Sequence, residues 1–213
     1  MEMIKGFKNS WILINNEIIK TNLIIKEGKI EQIGDVKCDN LIELDDHQII
    51  VPGFIDQHIH GSNGSDVMDA TKSALNNIAC SLAKEGVTAF LATTTTQSDV
   101  NIEKTLSIVK EYIDEHNEIG AEILGVHLEG PFINEKFKGA QIEKYIVKPD
   151  LNKFKYYEKI SGNNIRVVSL APEVEGGMNL IKYLKSKNII VSLGHTDASY
   201  DDVRIATDSG VKC

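Results

Sequence analysis

Cysteine is scarce in this 213-residue chain. Cys38, Cys80 and Cys213 are an odd number, widely scattered, and no two form a Cys-x-x-Cys pair. That spacing excludes a disulfide framework, a zinc finger and a thioredoxin-type redox motif, and it predicts reduced thiols. Runs of positive charge are missing too. Net charge is −8 and no Lys/Arg-rich stretch occurs, so the electrostatic footprint of a nucleic-acid binder is absent. The apolar runs are far too short to span a bilayer. The opening "MEMIKGFKNSW" has no apolar h-region, which makes a cytoplasmic location the expectation. The glycines of "HGSNGSD" match neither Gly-x-Gly-x-x-Gly nor a P-loop, so no phosphate loop of a nucleotide-binding sheet is present.

Two rhythms fill the rest. Through residue 50, "WILINNEIIKTNLIIKEGKIEQIGD" alternates short Ile/Leu/Val runs with Asn15-Asn16 and Glu27-Gly28. This reads as small antiparallel strands joined by tight turns, a β domain over 1–50 of sandwich-like type. From 51 to 213 five strand-then-helix units follow. The first joins "VPGFID", read as a buried strand, to a helix with Leu75, Ile78 and Leu82 on one face and Gly86 at its C-terminal end. The second joins "VTAFLATTTT" to a helix carrying Ile102, Leu106, Val109 and Ile113. "EILGVHLEG" precedes a helix opened by Asp150, with Leu151 and Phe154 inward. "IRVVSLAP" precedes a helix around Leu180, Ile181 and Leu184, and "NIIVSLGH" precedes "YDDVRIATDSG". Apolar strands alternating with helices imply a parallel sheet in an α/β fold.

The chemically loaded residues fall at the C-terminal ends of these strands, where a (β/α)8 barrel of TIM type collects its chemistry. Strand one ends in His58-Ile59-His60, strand three in His127-Leu128-Glu129, strand five in Gly194-His195. Side chains alternate along a strand, so His58 and His60 share a face. Two imidazoles, with Glu129 and His195 converging from other strands, make a donor set for a divalent metal such as zinc or iron. A His-x-His pair alone reads equally well as two surface histidines; the coincidence of three strand ends favours the metal. His127 reads as a packed, hydrogen-bonded neighbour, and His47 and His116 as solvated. Asp66 and Asp69 read as turn or helix caps.

The motifs also resemble a known family. "PGFIDQHIHG" is similar to the first-strand signature of the amidohydrolase superfamily of metal-dependent hydrolases. "GVHLEGPFIN" followed by "KGAQ", together with "SLGHTDASYDD", resembles its N-acetylglucosamine-6-phosphate deacetylase family. The resemblance implies Glu129 and His195 as ligands of the main metal, and His58 and His60 as ligands of a second, so one or two ions. It implies that Gly139, Ala140 and Gln141 line the substrate pocket. It implies Glu129 in the bridging role, because strand four ends in "SLAPE" with no lysine. The implied reaction is hydrolysis of the acetamido group of a phosphorylated amino sugar to glucosamine 6-phosphate and acetate, in a homodimer. The proton shuttle of that family is an aspartate of an eighth strand, so no residue of 1–213 takes the catalytic role; Asp56, Asp197 and Asp201 are not its substitutes. Five units against eight lead to the expectation of an N-terminal portion that is inactive by itself. Three alternatives stay open: a deacetylase of N-acetylgalactosamine 6-phosphate, another amidohydrolase, and a non-catalytic metal-binding relic.

Overall fold

The structure is a computed structural model that describes residues 5–36, 39–115 and 119–213. Cys38 and His116 lie outside the described residues. The chain divides into two compact units, Met1–Gly53 and Phe54–Cys213.

In the first unit, β1 (Lys5–Ile14), β2 (Glu17–Lys26) and β3 (Lys29–Gly34) pair antiparallel in sequence order. Their two turns are the ones the sequence marks. Asn15 and Asn16 have φ of 48° and 66°, and Glu27 and Gly28 have φ of 50° and 72°. Positive φ at both central residues gives a turn whose twist matches that of the flanking strands. The antiparallel expectation fails for the last two strands. β4 (Ile42–Glu43) and β5 (Ile49–Ile50) lie parallel to β1, with Phe7 opposite Ile42 and Trp11 opposite Ile49. Each is only two residues long, too short for a periodic signal, and each reaches β1 by a connection that carries no hairpin chemistry. Ile12, Leu23 and Ile24 are buried in this unit.

The second unit contains all five strand–helix pairs. β6 (Phe54–Ile59) is followed by a small hairpin, β7 (Gly61–Ser62) and β8 (Ser65–Asp66), and then by α1 (Lys72–Lys84). β9 (Val87–Thr93) and α2 (Asp99–Asp114) come next, then β10 (Glu122–Glu129) and α3 (Leu151–Ile160). β11 (Ile165–Leu170), α4 (Gly177–Ser186), β12 (Ile190–Leu193) and α5 (Tyr200–Asp208) complete it. The sheet order is β12-β11-β10-β9-β6, and every pairing is parallel. Strands adjacent in sequence are therefore adjacent in space. A doubly wound sheet reverses direction at a switch point; this order never reverses, which is the winding of part of a barrel.

Polar caps fix where α1 and α3 begin. Thr71 accepts from the Ala74 N–H at the start of α1, and Asp150 accepts from the Asn152 and Lys153 N–H groups at the start of α3. Gly86, at φ 82°, follows the last turn of α1. Asp66 and Asp69 form a reciprocal capping pair on the short 3-10 turn Val67–Asp69. The apolar faces bury Leu75, Ile78, Ile102, Leu106, Phe154, Leu180 and Leu184 against Phe90, Val126, Leu128, Val168 and Leu170. Burying one such side chain contributes about 1.5–3 kcal/mol.

β6 corrects the reading of a buried first strand. It stands at one end of the sheet order, and Phe54 and Ile55 are 67% and 58% exposed. An apolar run becomes a buried strand only when neighbours flank it; here β9 alone pairs with it among the described residues.

Candidate metal centre

Glu129 ends β10 at the centre of the sheet and is 6% exposed. Gly130 follows with φ 70°, and a Cβ there would lie 2.0 Å from the Thr96 hydroxyl, so only glycine lets the chain turn so close to the segment after β9. Three imidazoles converge on the carboxylate. His58 Nε2 lies 3.4 Å from Oε1, His60 Nε2 3.2 Å from Oε2, and His195 Nε2 3.2 Å from Oε1. His58 and His60 meet each other, Nε2 to Nε2, at 3.3 Å.

The far side of two of these rings settles their tautomers. His60 Nδ1 faces the Thr93 carbonyl at 3.3 Å, and His195 Nδ1 faces the Phe137 carbonyl at 3.0 Å. A carbonyl only accepts, so each Nδ1 carries the proton and each Nε2 presents a lone pair. Neutral rings would then set lone pairs against a carboxylate, which is repulsive. The geometry requires a cation between them, either protons on Nε2 or a metal ion. The titration of the groups expresses the same demand. The His60 imidazole is raised by its hydrogen bond to Glu129, against burial. Burial pushes the Glu129 carboxyl up, but the His60 hydrogen bond and the charges of His58, His60 and His195 outweigh it and hold it at about 2.

His58, His60 and Glu129 form a mutually close group that could hold a metal ion. His195 joins through Glu129 alone. The carboxylate thus stands between a pair of histidines and a third.

Supporting contacts surround it. Gln141 is buried; its Nε2 donates to Glu129 Oε2 at 2.8 Å and its Oε1 accepts from the Thr96 N–H at 2.6 Å. His127, 4% exposed, has Nδ1 on the Gln57 carbonyl and Nε2 on the Ser169 hydroxyl, with its ring 4.7 Å from that of His58. Burial lowers its pKa, so it is a neutral packed neighbour. Gly139, at φ 57°, is exposed, and a side chain there would reach within 3.6 Å of the His195 ring. Ala140 is exposed beside it. His47 is exposed and remote in sequence from these groups. His195 itself has φ 52°, a left-handed conformation that costs a non-glycine residue about 1–3 kcal/mol and persists only where its surroundings over-determine it. Sequence reasoning named Gln141 without its grip on Glu129, and missed Thr93, Phe137 and Ser169. The first two act through backbone carbonyls, which leave no mark on the residue type.

Residues 49–211 match the amidohydrolase family. The chain belongs to that family. It is 40% identical over 198 residues to N-acetylglucosamine-6-phosphate deacetylase of Bacillus subtilis (strain 168), covering 90% of this chain and 50% of that protein. It is 35% identical over 165 residues to N-acetylgalactosamine-6-phosphate deacetylase of Escherichia coli O157:H7, covering 78% and 44%. The crystal structure of N-acetylglucosamine-6-phosphate deacetylase from Pasteurella multocida superposes with a TM-score of 0.84 at 27% identity, covering 99% of this chain and 55% of the other. The chain spans about half the length of the curated relatives it matches. Among the described residues no helix is long and apolar enough to cross a membrane.

Proposed function

We propose that the chain carries the metal-binding half of a deacetylase that hydrolyses the acetamido group of N-acetylglucosamine 6-phosphate to glucosamine 6-phosphate and acetate. One observation supports this above the others: a buried carboxylate with three imidazole Nε2 atoms within 3.4 Å, all at the C-terminal ends of parallel strands.

Glu129 and His195 would hold the main ion and His58 and His60 a second; zinc and iron suit this nitrogen and carboxylate set. When bound, such a cation polarises an amide carbonyl and lowers the pKa of water. The chain's own groups prepare the place. Thr93 and Phe137 hold two imidazoles in the tautomer that offers Nε2, and Gln141 fixes the carboxylate plane. Gly139 and Ala140 line the substrate pocket beside His195, where absence of a side chain at Gly139 leaves room. The proton for the departing amine belongs to an aspartate of an eighth strand in a complete (β/α)8 barrel. Residues 51–213 supply five units of that barrel and residues 1–50 the N-terminal part of a β-sandwich domain. The 213 residues alone then bind metal without turnover. The whole enzyme is a cytoplasmic homodimer in this reading.

The resemblance to an N-acetylgalactosamine-6-phosphate deacetylase supports a second reading with the epimeric sugar. Elemental analysis of the purified chain reads bound metal. Acetate release from each sugar phosphate, in the polypeptide extended to its relatives' length and in its Glu129→Gln variant, reads the reaction. Metal with acetate release that collapses in the variant supports the deacetylase, and the faster sugar decides the epimer. Metal without acetate from either sugar overturns the substrate, and no metal overturns the site.

A further inference from the structure

Glu173 ends the "SLAPE" segment after β11 and touches none of the groups on Glu129's carboxylate, yet three neutral donors surround it. Asn134 Nδ2 and the Asp197 N–H both donate to its Oε1 at 2.8 Å, and the Thr196 hydroxyl donates to its Oε2. The donors come from two different loops. Thr196 and Asp197 follow His195 directly. Asn134 lies in the loop after β10, and its own N–H donates to the His195 carbonyl at 2.8 Å.

A second route runs through the same asparagine. With Nδ2 held by Glu173, Asn134 Oδ1 accepts from the Lys136 N–H at 2.9 Å and caps the short 3-10 turn Glu135–Phe137. That turn aims the Phe137 carbonyl, which takes the Nδ1–H of His195. Glu173 therefore bears on His195 from both sides: on its backbone through Thr196, Asp197 and Asn134, and on its ring through Asn134 and Phe137. The backbone it bears on is strained, with φ of 52°, and needs such support. Thr196 fits the role, since its hydroxyl also accepts from the Ala198 N–H at 3.0 Å and so has its proton free for Glu173. The Asp197 side chain is turned outward to Lys136, and only its backbone takes part.

We propose that Glu173 is a positioning residue: a carboxylate clasp that joins the loops after β10 and β12 and sets the ring and backbone of His195. The role in metal binding rests on the metal reading given above; the geometric role does not.

The test reads the two separately. Ring signals of histidine in isotopically labelled, metal-free protein are compared, with that of His195 identified by its loss in His195→Gln. In Glu173→Ala the His195 signal shifts or splits, while that of His127, held by Gln57 and Ser169, stays. Zinc affinity from chelator competition falls about ten- to hundredfold, the usual effect of removing a support behind a ligand. Glu173→Gln, which still accepts from Asn134 and Asp197 and can donate to Thr196, recovers most of both. Thr196→Val removes one donor and moves the His195 signal less far; it decides the matter if Glu173→Ala does not fold. An unmoved His195 signal in the folded variants overturns the clasp. Wild-type protein that binds no zinc sinks the metal reading and leaves the signal comparison standing.

Discussion

At the scale of single residues, Gln141 carries more than its place in "KGAQ" announces. Its two amide atoms are committed to different partners: the oxygen must face the Thr96 N–H, so the nitrogen must face Glu129. Gln141→Leu strips a donor from the carboxylate and leaves a buried N–H with no acceptor. Such an orphan costs about 1–3 kcal/mol, and loss of the support behind the carboxylate about ten- to hundredfold in metal affinity. Thermal melting and chelator competition on the same preparation check both; an unchanged affinity would mean Gln141 is spectator packing. A pH effect belongs to Asp99, at the start of α2. Lys153 and the Tyr157 hydroxyl bond its carboxylate and hold it below the usual range against burial. A depressed folded pKa contributes stability above the unfolded value near 3.8, and that contribution disappears as pH falls through the folded value. The Asp99 side chain is 53% exposed and that of Lys153 25%, so solvent screening keeps the gain below about 1 kcal/mol. Asp99→Asn should therefore melt slightly below wild type at pH 7, with the gap closing below pH of about 3.8. A gap that widens on acidification would reverse the assignment.

At the scale of elements, the helices of the second unit were legible by their apolar stripes, and most plainly where a cap adds a second, independent mark. Asp150 with Phe154 is the plainest case: the cap fixes where α3 starts, and Phe154, fully buried, fixes which face turns inward. Phe154→Ala should cost about 3–5 kcal/mol, whereas Tyr156→Ala, on the outer face at 51% exposure, should stay within about 0.5 kcal/mol. Denaturant melts of the two variants measure the contrast, and similar losses would contradict the face assignment. β4, β5 and β6 were less legible. A two-residue strand has no period, and whether "VPGFID" is buried depends on partners that its own residues do not encode. The site divides the same way. The histidines and Glu129 could be read because their side chains are the chemistry. The groups that orient them are carbonyls of Thr93 and Phe137, and Glu173 counts only through loops brought together in space.

At the scale of the whole molecule, binding and folding are one equilibrium. Every helix among the described residues lies in the unit that also holds His58, His60, Glu129 and His195. Ellipticity at the helical band therefore follows the unit that would take up the ion. A ligand that binds only the folded state stabilises it by RT ln(1 + [L]/Kd), about 2.7 kcal/mol at a free concentration a hundred times Kd. For a unit of this size each kcal/mol moves the midpoint by about 2–4 °C, so zinc at that concentration should raise the helical transition by about 5–11 °C. Chelation should reverse the shift. Glu129→Gln should abolish it, since the amide removes the charge against which all three imidazoles are set, while the variant melts no lower than the chelated wild type by more than a few degrees. The last comparison separates a ligand from a structural residue. If Glu129→Gln collapses the fold even without metal, the carboxylate is holding the strands through its histidine contacts; if it only flattens the zinc response, the carboxylate is there for the ion.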